Sequence, residues 1–211
     1  KTMAIAGLSE VGRDYYGVFP LRGKLLNVKD ADISQIVKNA EINNIKKILG
    51  LKSGEVYSED MDTWPLRYGK LIIMTDQDVD GSHIKGLVMN VFHSHWRSLL
   101  QMDFVASLLT PIVKVTKGKK TFAFYTLTDY EKWKSKTNGG KGWRVKYYKG
   151  LGTSTTKEAK EYFKRMKLVN YTWDSTYSDN AIDLAFNKCR SDDRKDWLNA
   201  FDRAVVLDSK Q

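Results

Sequence analysis

The stretch Leu71-Ile72-Ile73-Met74-Thr75-Asp76-Gln77-Asp78-Val79-Asp80-Gly81-Ser82-His83 decides the fold class of this 211-residue chain. Its first four residues are all apolar, which predicts a short strand that is buried on both faces, as in a parallel sheet. After His83 the apolar positions recur at intervals of three and four, which predicts an amphipathic helix over residues 81–100. A strand, an acidic turn and a helix form a βα unit, and we therefore predict an α/β fold.

Three carboxylates alternate along the turn of this βα unit, at Asp76, Asp78 and Asp80. In open α/β sheets, ligands bind at the carboxyl ends of strands. Neighbouring carboxylates repel one another unless water or a cation neutralises them, and Mg²⁺ prefers oxygen ligands of this kind. We predict that Asp76, Asp78 and Asp80 hold one or two Mg²⁺ ions. Residues 76–80 are called the acidic turn below. The alternative is that this turn binds no metal and only caps the next helix.

Two other kinds of site share part of this pattern. A calcium loop of the EF-hand type is excluded, because its twelfth position counted from Asp76 is Leu87 and not a bidentate Glu. Residues 78–82 also resemble the aspartyl nucleophile motif of haloacid-dehalogenase-like phosphatases. That fit is poorer, because the nucleophile of that family directly follows its strand, whereas Asp76 intervenes here. An aspartyl phosphohydrolase is the alternative enzyme class.

The net charge of +10 lies entirely in the second half of the chain. Residues 1–110 hold 13 basic and 13 acidic side chains, whereas residues 111–211 hold 22 basic and 12 acidic ones. This imbalance favours a polyanionic partner such as nucleic acid, although a solvated lysine-rich surface would show the same composition. A non-enzymatic DNA-binding module is therefore a third functional class.

The composition excludes several other classes. With 42% hydrophobic and 28% charged residues, the chain has a typical globular composition. The longest apolar runs are far shorter than the roughly 20 residues of a membrane-spanning helix, and we expect neither a span nor a signal peptide. Cys189 is the only cysteine, so no intramolecular disulfide can form and a reducing compartment is favoured.

A glycine-rich segment, Lys149-Gly150-Leu151-Gly152-Thr153-Ser154, is predicted to be a turn between a strand and a helix (the glycine turn). Thr155 and Glu158 after it have the spacing of a capping box. Free backbone amides at such a helix start favour an anion. The spacing of a Walker motif is absent, so we predict no nucleoside triphosphate site.

Periodicity and turn residues predict the remaining elements. They are a helix over 1–12, a helix capped by Asp30 or Asp32 and ended by Gly50, a surface loop over 52–69, a hairpin of 111–115 and 121–127, a helix over 128–135, a flexible loop over 138–142, a strand over 143–148, a helix to about 166, and helices over 181–187 and 192–201.

Four motifs, taken together, closely resemble the eukaryotic type IIA DNA topoisomerases. They are Phe19-Pro20-Leu21-Arg22-Gly23-Lys24, residues 74–87 around the acidic turn, Tyr147-Tyr148 with the glycine turn, and Asp192-Asp193-Arg194-Lys195. The four occur in the order of that family and the resemblance spans essentially the whole chain. Ser82 and Thr153-Ser154 are similar to the eukaryotic form more than to bacterial gyrase, which implies a nucleus or a viral factory as the location.

The resemblance implies a Toprim domain over residues 1–168 and a mostly helical connector toward a winged-helix domain over residues 169–211. A Toprim domain has a Rossmann-like fold, in which helices flank a parallel sheet on both faces. The first strand of that sheet would precede Lys1.

The resemblance also implies the roles of individual residues. Asp76 and Asp78 match the Mg²⁺-binding aspartates of the family, and Asp80 matches a third, more peripheral acid. The residues expected to contact DNA are Lys24, Asn27, Arg194 and Lys195 by match to the family, with Lys149 and His83 added because they lie next to the motifs.

The parent enzyme implied by the resemblance is a homodimer that uses ATP to pass one DNA duplex through a transient double-strand break in another. Its ATP would bind outside this segment. Its acid–base glutamate would precede Lys1 in a Glu-Gly-Asp-Ser motif, and its tyrosine nucleophile would lie beyond Gln211. We therefore expect no catalytic residue in these 211 residues and no DNA cleavage by this chain alone.

Overall fold

A computed structural model of the chain describes residues 2–60 and 64–200. The helices over these residues are α1 (Thr2–Val11), α2 (Ile33–Lys38), α3 (Ala40–Leu49), α4 (Val79–His95), α5 (Arg97–Gln101), α6 (Leu127–Lys136), α7 (Thr156–Arg165), α8 (Ser175–Phe186) and α9 (Ser191–Asn199). The strands are β1 (Leu71–Ile73), β2 (Val105–Leu108), β3 (Val113–Lys117), β4 (Lys120–Phe124), β5 (Arg144–Tyr147) and β6 (Leu168–Asn170). Short 3₁₀ turns occupy Asn138–Gly140, Leu151–Thr153 and Lys188–Arg190.

The first sheet has the strand order β1-β2-β6 and contains the predicted βα unit. Strands β1 and β2 run parallel, with Leu71 opposite Val105, and α4 with α5 forms the crossover between them. Strand β6 pairs with β2 in the antiparallel direction. The predicted α/β class with a parallel strand pair and a helical C-terminal part is therefore confirmed, with the parallel direction confined to β1 and β2 in this sheet.

The main core lies between this sheet and α4. Phe92, Leu99 and Val105 are completely shielded from solvent, and Val91 and Phe104 are nearly so. Apolar side chains of α3 and of the loop from Leu25 to Val28 extend the same cluster. Removing this apolar surface from water fixes α4 on the sheet, and it thereby fixes the acidic turn at the start of α4.

Two long helices predicted from periodicity are each divided in the structure. The helix predicted before Gly50 splits at Asn39, because Asn39 has an extended backbone and its side chain accepts a hydrogen bond from the amide of Ile42. The helix predicted over 81–100 ends at His95. Trp96 leaves the helical conformation, its ring is buried, and its indole nitrogen donates to the carbonyl oxygen of Lys52 at 2.8 Å.

Two strands of the first sheet, β2 and β6, are not predicted by the sequence patterns. Strand β2 is Val-Ala-Ser-Leu and is buried along its whole length, so it shows no alternation of apolar and polar residues. Ala and Ser also have little intrinsic preference for strands. Strand β6 has only three residues. Their positions depend on long-range pairing, which local patterns do not record.

The second sheet has the order β4-β3-β5 and is antiparallel throughout. The predicted hairpin is confirmed as β3 and β4, and the predicted strand over 143–148 is confirmed as β5. Val113 and Val115 are fully buried and pack with Tyr130 of α6 in a separate small core. This sheet leads through β5 directly into the glycine turn.

Helices α1 and α7 pack closely against each other. Gly7 of α1 lies against the ring of Phe163 of α7, at a distance that leaves no room for a Cβ atom on residue 7. Helix α7 also carries the fully buried Ala159. The helix that follows the glycine turn, α7, is therefore fixed by its packing on α1.

The C-terminal helices are confirmed, although α8 begins six residues before the predicted start at residue 181. Helix α9 ends at Asn199, and the predicted end at Phe201 lies outside the described residues. Over residues 2–60 and 64–200, the structure contains no helix that combines the length and the apolar character needed to cross a membrane.

Candidate metal and DNA-binding site

Asp78 at the centre of the acidic turn caps α4. Its Oδ1 atom accepts a hydrogen bond from the backbone nitrogen of Gly81 at 2.7 Å, and its own backbone is extended. An aspartate at this position satisfies one of the free amides of the first helical turn. The capping role that the sequence left as an alternative is therefore present at Asp78, and the carboxylate remains exposed to solvent.

Asp76 is held by the glycine turn. The backbone nitrogen of Leu151 donates to its Oδ1 atom at 2.6 Å. A Cβ atom on Gly150 would lie 2.7 Å from the carboxyl carbon of Asp76 and 2.8 Å from both of its oxygens. The anion held by an amide of the glycine turn is thus the carboxylate of Asp76, in a cradle that any larger residue at position 150 would fill.

Asp80 is paired with Lys24. The Lys24 ammonium lies 2.8 Å from Oδ1 of Asp80, and both side chains are largely exposed. The hydrogen bond and the charge of Lys24 lower the pKa of Asp80. Lys24 therefore neutralises Asp80, the third acid. This ion pair joins the segment that contains Lys24 to the acidic turn.

Among the described residues, no group of three Asp, Glu, His or Cys side chains converges on one point as a metal centre would. A Mg²⁺ ion in proteins is nevertheless often held by only one or two carboxylates together with waters and substrate phosphates. Asp76 and Asp78 fit that donor set, because each is exposed and uses its Oδ1 atom for the backbone hydrogen bond. Their Oδ2 atoms take no part in these two backbone hydrogen bonds.

Lys85 is a charged neighbour of the acidic turn that no sequence pattern marks. It is half-buried on α4, and its ammonium donates to Oε1 of Gln77 at 3.5 Å. Burial lowers the pKa of Lys85, while the negative charge of Asp78 opposes this change. The sequence shows only that Lys85 follows Asp78 by seven residues. This spacing does not by itself predict that the Lys85 ammonium reaches the acidic turn.

Three of the predicted DNA-contact residues meet at the C-terminal end of α8. The Asn27 amide donates to the carbonyl oxygen of Phe186 at 2.8 Å and accepts from the side chain of Asn90 at 2.8 Å. The His83 ring stacks on Phe186 with centroids 6.4 Å apart. The Arg194 guanidinium donates to the carbonyl oxygens of Leu184 and Asn187, at 2.8 and 2.9 Å.

These hydrogen bonds give both residues a structural role: Asn27 joins Asn90 of α4 to the end of α8, and Arg194 joins α9 to the end of α8. Lys195 is exposed on α9 and lies 2.7 Å from the carboxylate of Asp192. Lys149 is exposed at the start of the glycine turn. The roles of these residues in contacting DNA stay predictions.

A partly buried carboxylate, Glu158, lies shortly after the glycine turn, in the first turn of α7. Its Oε1 atom accepts a hydrogen bond from the hydroxyl of Tyr148, and its Oε2 atom accepts from the backbone nitrogen of Thr155 at 2.8 Å and from the Lys146 ammonium at 3.0 Å. The predicted capping box of Thr155 and Glu158 is confirmed. The bonds to Tyr148 and Lys146 are additional and could not be read from the spacing.

Burial raises the pKa of Glu158, but its hydrogen-bond donors outweigh burial and lower that pKa to about 2. The contact with Glu158 has the opposite effect on the pKa of Tyr148. Burial and the neighbouring Glu158 carboxylate raise the pKa of the Tyr148 hydroxyl. At neutral pH the pair therefore consists of an ionised carboxylate and a protonated phenol.

Acid is expected to weaken the fold through Glu158. Its folded pKa of about 2 lies below the ordinary value of 4.5, so its contribution is complete above about pH 4.5 and is lost as the pH falls toward 2. The difference between these values corresponds to a contribution on the order of 3 kcal/mol. We expect the free energy of unfolding, measured with urea, to decrease more steeply in the wild type than in Glu158→Gln as the pH is lowered from about 4.5 toward 2. Parallel pH profiles would contradict this assignment.

Two family models and several known proteins match this chain. The family model of the Toprim domain matches residues 1–107, and the model of the C-terminal associated domain of TOPRIM matches residues 108–211. Over 203 residues the chain is 57% identical to DNA topoisomerase 2-alpha of Homo sapiens, covering 95% of this chain and 13% of that protein. It is 54% identical to DNA topoisomerase 2 top-2 of Caenorhabditis elegans over 205 residues, covering 96% of this chain and 14% of that protein.

A solved structure shows the same similarity. The crystal structure of the Plasmodium falciparum topoisomerase II DNA-binding, cleavage and re-ligation domain superposes with a TM-score of 0.91 at 50% identity, covering 100% of this chain and 29% of that one. The chain thus spans about one seventh of the length of its curated relatives, which are named as topoisomerase enzymes. The predicted boundary at residue 168 stays a prediction. The resemblance seen in the four sequence motifs is confirmed, and the chain belongs to the Toprim family, in the form that the type II DNA topoisomerases contain.

Proposed function

We propose that this chain is the Mg²⁺-binding and DNA-binding Toprim segment of an ATP-dependent type II DNA topoisomerase, which passes one duplex through a transient double-strand break in another. The observation that carries the proposal is the pair of exposed carboxylates, Asp76 and Asp78, at the carboxyl end of β1. Each is oriented by a backbone amide from a different segment, one from the glycine turn and one from α4. The names of the similar proteins supply the reaction class.

In this proposal, Asp76 and Asp78 hold the metal. A Mg²⁺ ion bound there would neutralise charge that develops on the scissile phosphate and on the oxygens that attack and leave it. The protein's own contribution is orientation. The Leu151 amide fixes the direction of the Asp76 carboxylate, and the cap to Gly81 does the same for Asp78.

Lys24 would contact the DNA backbone beside the metal. In the free chain its ammonium is paired with Asp80, but an exposed pair of this kind contributes little to stability. A phosphate oxygen can therefore replace Asp80 as the partner of Lys24 at small cost. Contacts to phosphate position the duplex and carry no sequence information.

The phosphohydrolase and the simple DNA-binding module are less well supported. A phosphohydrolase of the haloacid-dehalogenase type would use Asp78 as its nucleophile, yet Oδ1 of Asp78 is engaged as the helix cap. The relatives reported above are topoisomerases. On the same grounds we propose double-stranded DNA as the partner, a homodimer as the parent assembly, ATP use outside this segment, and a nuclear location.

The proposed function is tested by a chimera. The matching 95% of this chain would replace the corresponding residues of human DNA topoisomerase 2-alpha, and relaxation of supercoiled DNA would be measured with Mg²⁺ and with a chelator. We expect Mg²⁺-dependent relaxation and double-strand cleavage by the chimera. A folded chimera that binds DNA but neither cleaves nor relaxes it would contradict the proposal and favour the DNA-binding module.

Lys24→Gln is expected to weaken binding of the 211-residue chain to short DNA duplexes by the same factor for every sequence. One lost phosphate contact should reduce the slope of log affinity against log salt by about 0.9. Fluorescence anisotropy with several unrelated duplexes measures both quantities. Lys38→Gln, which removes an exposed lysine at the end of α2, is the matched control and should leave them unchanged. A sequence-selective loss in Lys24→Gln would exclude a backbone contact.

A further inference from the structure

The glycine turn is anchored at both ends by one side chain, the carboxylate of Glu158. Tyr148, directly before the turn, donates its hydroxyl to Oε1 of Glu158. Thr155, directly after the turn, donates its backbone nitrogen to Oε2 at 2.8 Å and its hydroxyl at 3.2 Å. The six residues of the turn are therefore closed into a loop by hydrogen bonds that meet on a single carboxylate.

Tyr148 and Glu158 of this anchor are less exposed than Gly152 and Thr153 in the middle of the turn. Tyr148 is only 8% exposed and the Glu158 side chain only 17% exposed, on a helix that packs tightly on α1. Two backbone hydrogen bonds lie within the turn, from the nitrogen of Thr153 to the carbonyl oxygen of Gly150 at 3.1 Å and from the nitrogen of Ser154 to that of Leu151 at 3.2 Å. Among the described residues, no atom beyond the chain neighbours of Gly152 lies within 4 Å of the position that a Cβ on Gly152 would take. The hydrogen bonds to Glu158 add to this internal order by fixing the two ends of the turn.

The carboxylate that the turn orients is the one proposed to bind metal. The Leu151 amide reaches Asp76 at 2.6 Å across 75 residues of sequence. Partners that orient a metal ligand through a hydrogen bond affect metal affinity even though they do not touch the metal. The Leu151 amide is such a partner, and its own position depends on the ends of the glycine turn.

We propose that Glu158 is a positioning residue for Asp76: by joining Tyr148 to Thr155 it holds the glycine turn so that the Leu151 amide fixes the metal-binding carboxylate. This inference rests on the proposed function, because it assumes that Asp76 binds a divalent cation. Through Glu158, the end of the second sheet and α7 would influence the metal site, which lies at the end of β1 in the first sheet. Neither the family resemblance nor the capping box alone implies that link.

Glu158→Gln tests the inference in the 211-residue chain. A neutral amide keeps the size of the side chain but places an NH₂ group against the hydrogen-bond donors that now meet on the two oxygens. We expect the dissociation constant for Mn²⁺, used as a probe for Mg²⁺ and measured by electron paramagnetic resonance, to rise about tenfold. Hydrogen exchange at the Leu151 amide should also become faster, since that amide loses its fixed partner. Tyr148→Phe removes only a hydroxyl, should shift both readouts in the same direction, and serves if Glu158→Gln does not fold.

Glu161→Gln is the matched control. Glu161 lies one turn later on α7 and pairs with Lys114 and Arg165. Its substitution removes the same charge as Glu158→Gln, but at a residue whose ion pairs do not include the glycine turn. It should leave Mn²⁺ affinity and Leu151 exchange unchanged. In an Asp76→Asn background, Glu158→Gln should cause no further loss of affinity, because the carboxylate that it positions is gone.

The outcomes separate this inference from the proposed function. If Asp76→Asn weakens Mn²⁺ binding but folded Glu158→Gln and Tyr148→Phe do not, the positioning role is wrong and the metal site stands. If Asp76→Asn itself leaves Mn²⁺ affinity unchanged, the metal site is wrong and the positioning role is overturned with it. Equal effects of Glu158→Gln and Glu161→Gln on Mn²⁺ affinity would show that loss of one negative charge is the cause. That result would also overturn the positioning role.

Discussion

Asp76→Asn in the chimera with human DNA topoisomerase 2-alpha is expected to lower Mg²⁺-supported DNA cleavage by at least about 100-fold, because loss of a partner that merely orients a ligand already costs 10–100-fold. The fold should remain intact, since Asp76 is exposed and an asparagine oxygen can still accept the hydrogen bond of Leu151. The substitution removes the negative charge that a hard cation requires. Linear DNA released after denaturation of the cleavage complex measures the effect.

Asp60→Asn is the control for this variant. Asp60 is exposed in the loop that contacts Trp96 through the carbonyl of Lys52, at the opposite end of α4 from the acidic turn. It should cleave DNA as the unmodified chimera does. Unimpaired cleavage and relaxation by Asp76→Asn would remove this aspartate from the metal site.

Gly150→Ala is expected to weaken Mn²⁺ binding by the 211-residue chain about tenfold with little change in stability. Gly150 has φ −172° and ψ −179°, an extended backbone that alanine adopts without strain. The added Cβ atom would lie 2.7–2.8 Å from the Asp76 carboxylate, so that carboxylate must move. Because the atoms in the way are the end of a flexible side chain, the loss in free energy of unfolding should stay within about 1 kcal/mol, the worth of the hydrogen bond to Leu151.

Gly152→Ala provides a control within the same turn. A Cβ atom on Gly152 would meet no atom within 4 Å, so neither Mn²⁺ affinity nor stability should change. The pair isolates the position of the Asp76 carboxylate from the general effect of replacing a glycine in this segment. Identical behaviour of the two alanine variants, in either direction, would contradict the role assigned to the contact between Gly150 and Asp76.

The local elements of this fold could be predicted from the sequence where a cap or a turn marks their ends. The capping box of Thr155 and Glu158 fixes the start of α7, and Gly50 ends α3 in a left-handed conformation. The helix boundary at Trp96 could not be predicted, because it depends on a tertiary contact with Lys52. The boundary at Asn39 is a local side-chain cap, but the helical spacing of apolar residues on both sides of it favours one continuous helix. Strand β2 was missed because it is buried on both faces and contains Ala and Ser.

The candidate site shows the same division. The acidic turn at the end of β1 follows from the run of apolar residues before it, and the structure places all three aspartates there. The sequence could not reveal that each carboxylate has a different partner, because Lys24 and Leu151 lie 56 and 75 residues away from Asp80 and Asp76. Likewise, the sequence around Asn27 gives no sign that the amide of this residue holds the end of α8.

The central claim is that a divalent cation binds at Asp76 and Asp78, and Mn²⁺-induced line broadening in amide NMR spectra of the 211-residue chain tests it most directly. Broadening needs only partial occupancy, so it detects the weak binding expected from two carboxylates. We expect the amides of the acidic turn and of Leu151 to broaden first, and the effect to disappear in Asp76→Asn. Broadening centred on another group of acidic residues, or unchanged by Asp76→Asn, would contradict the account.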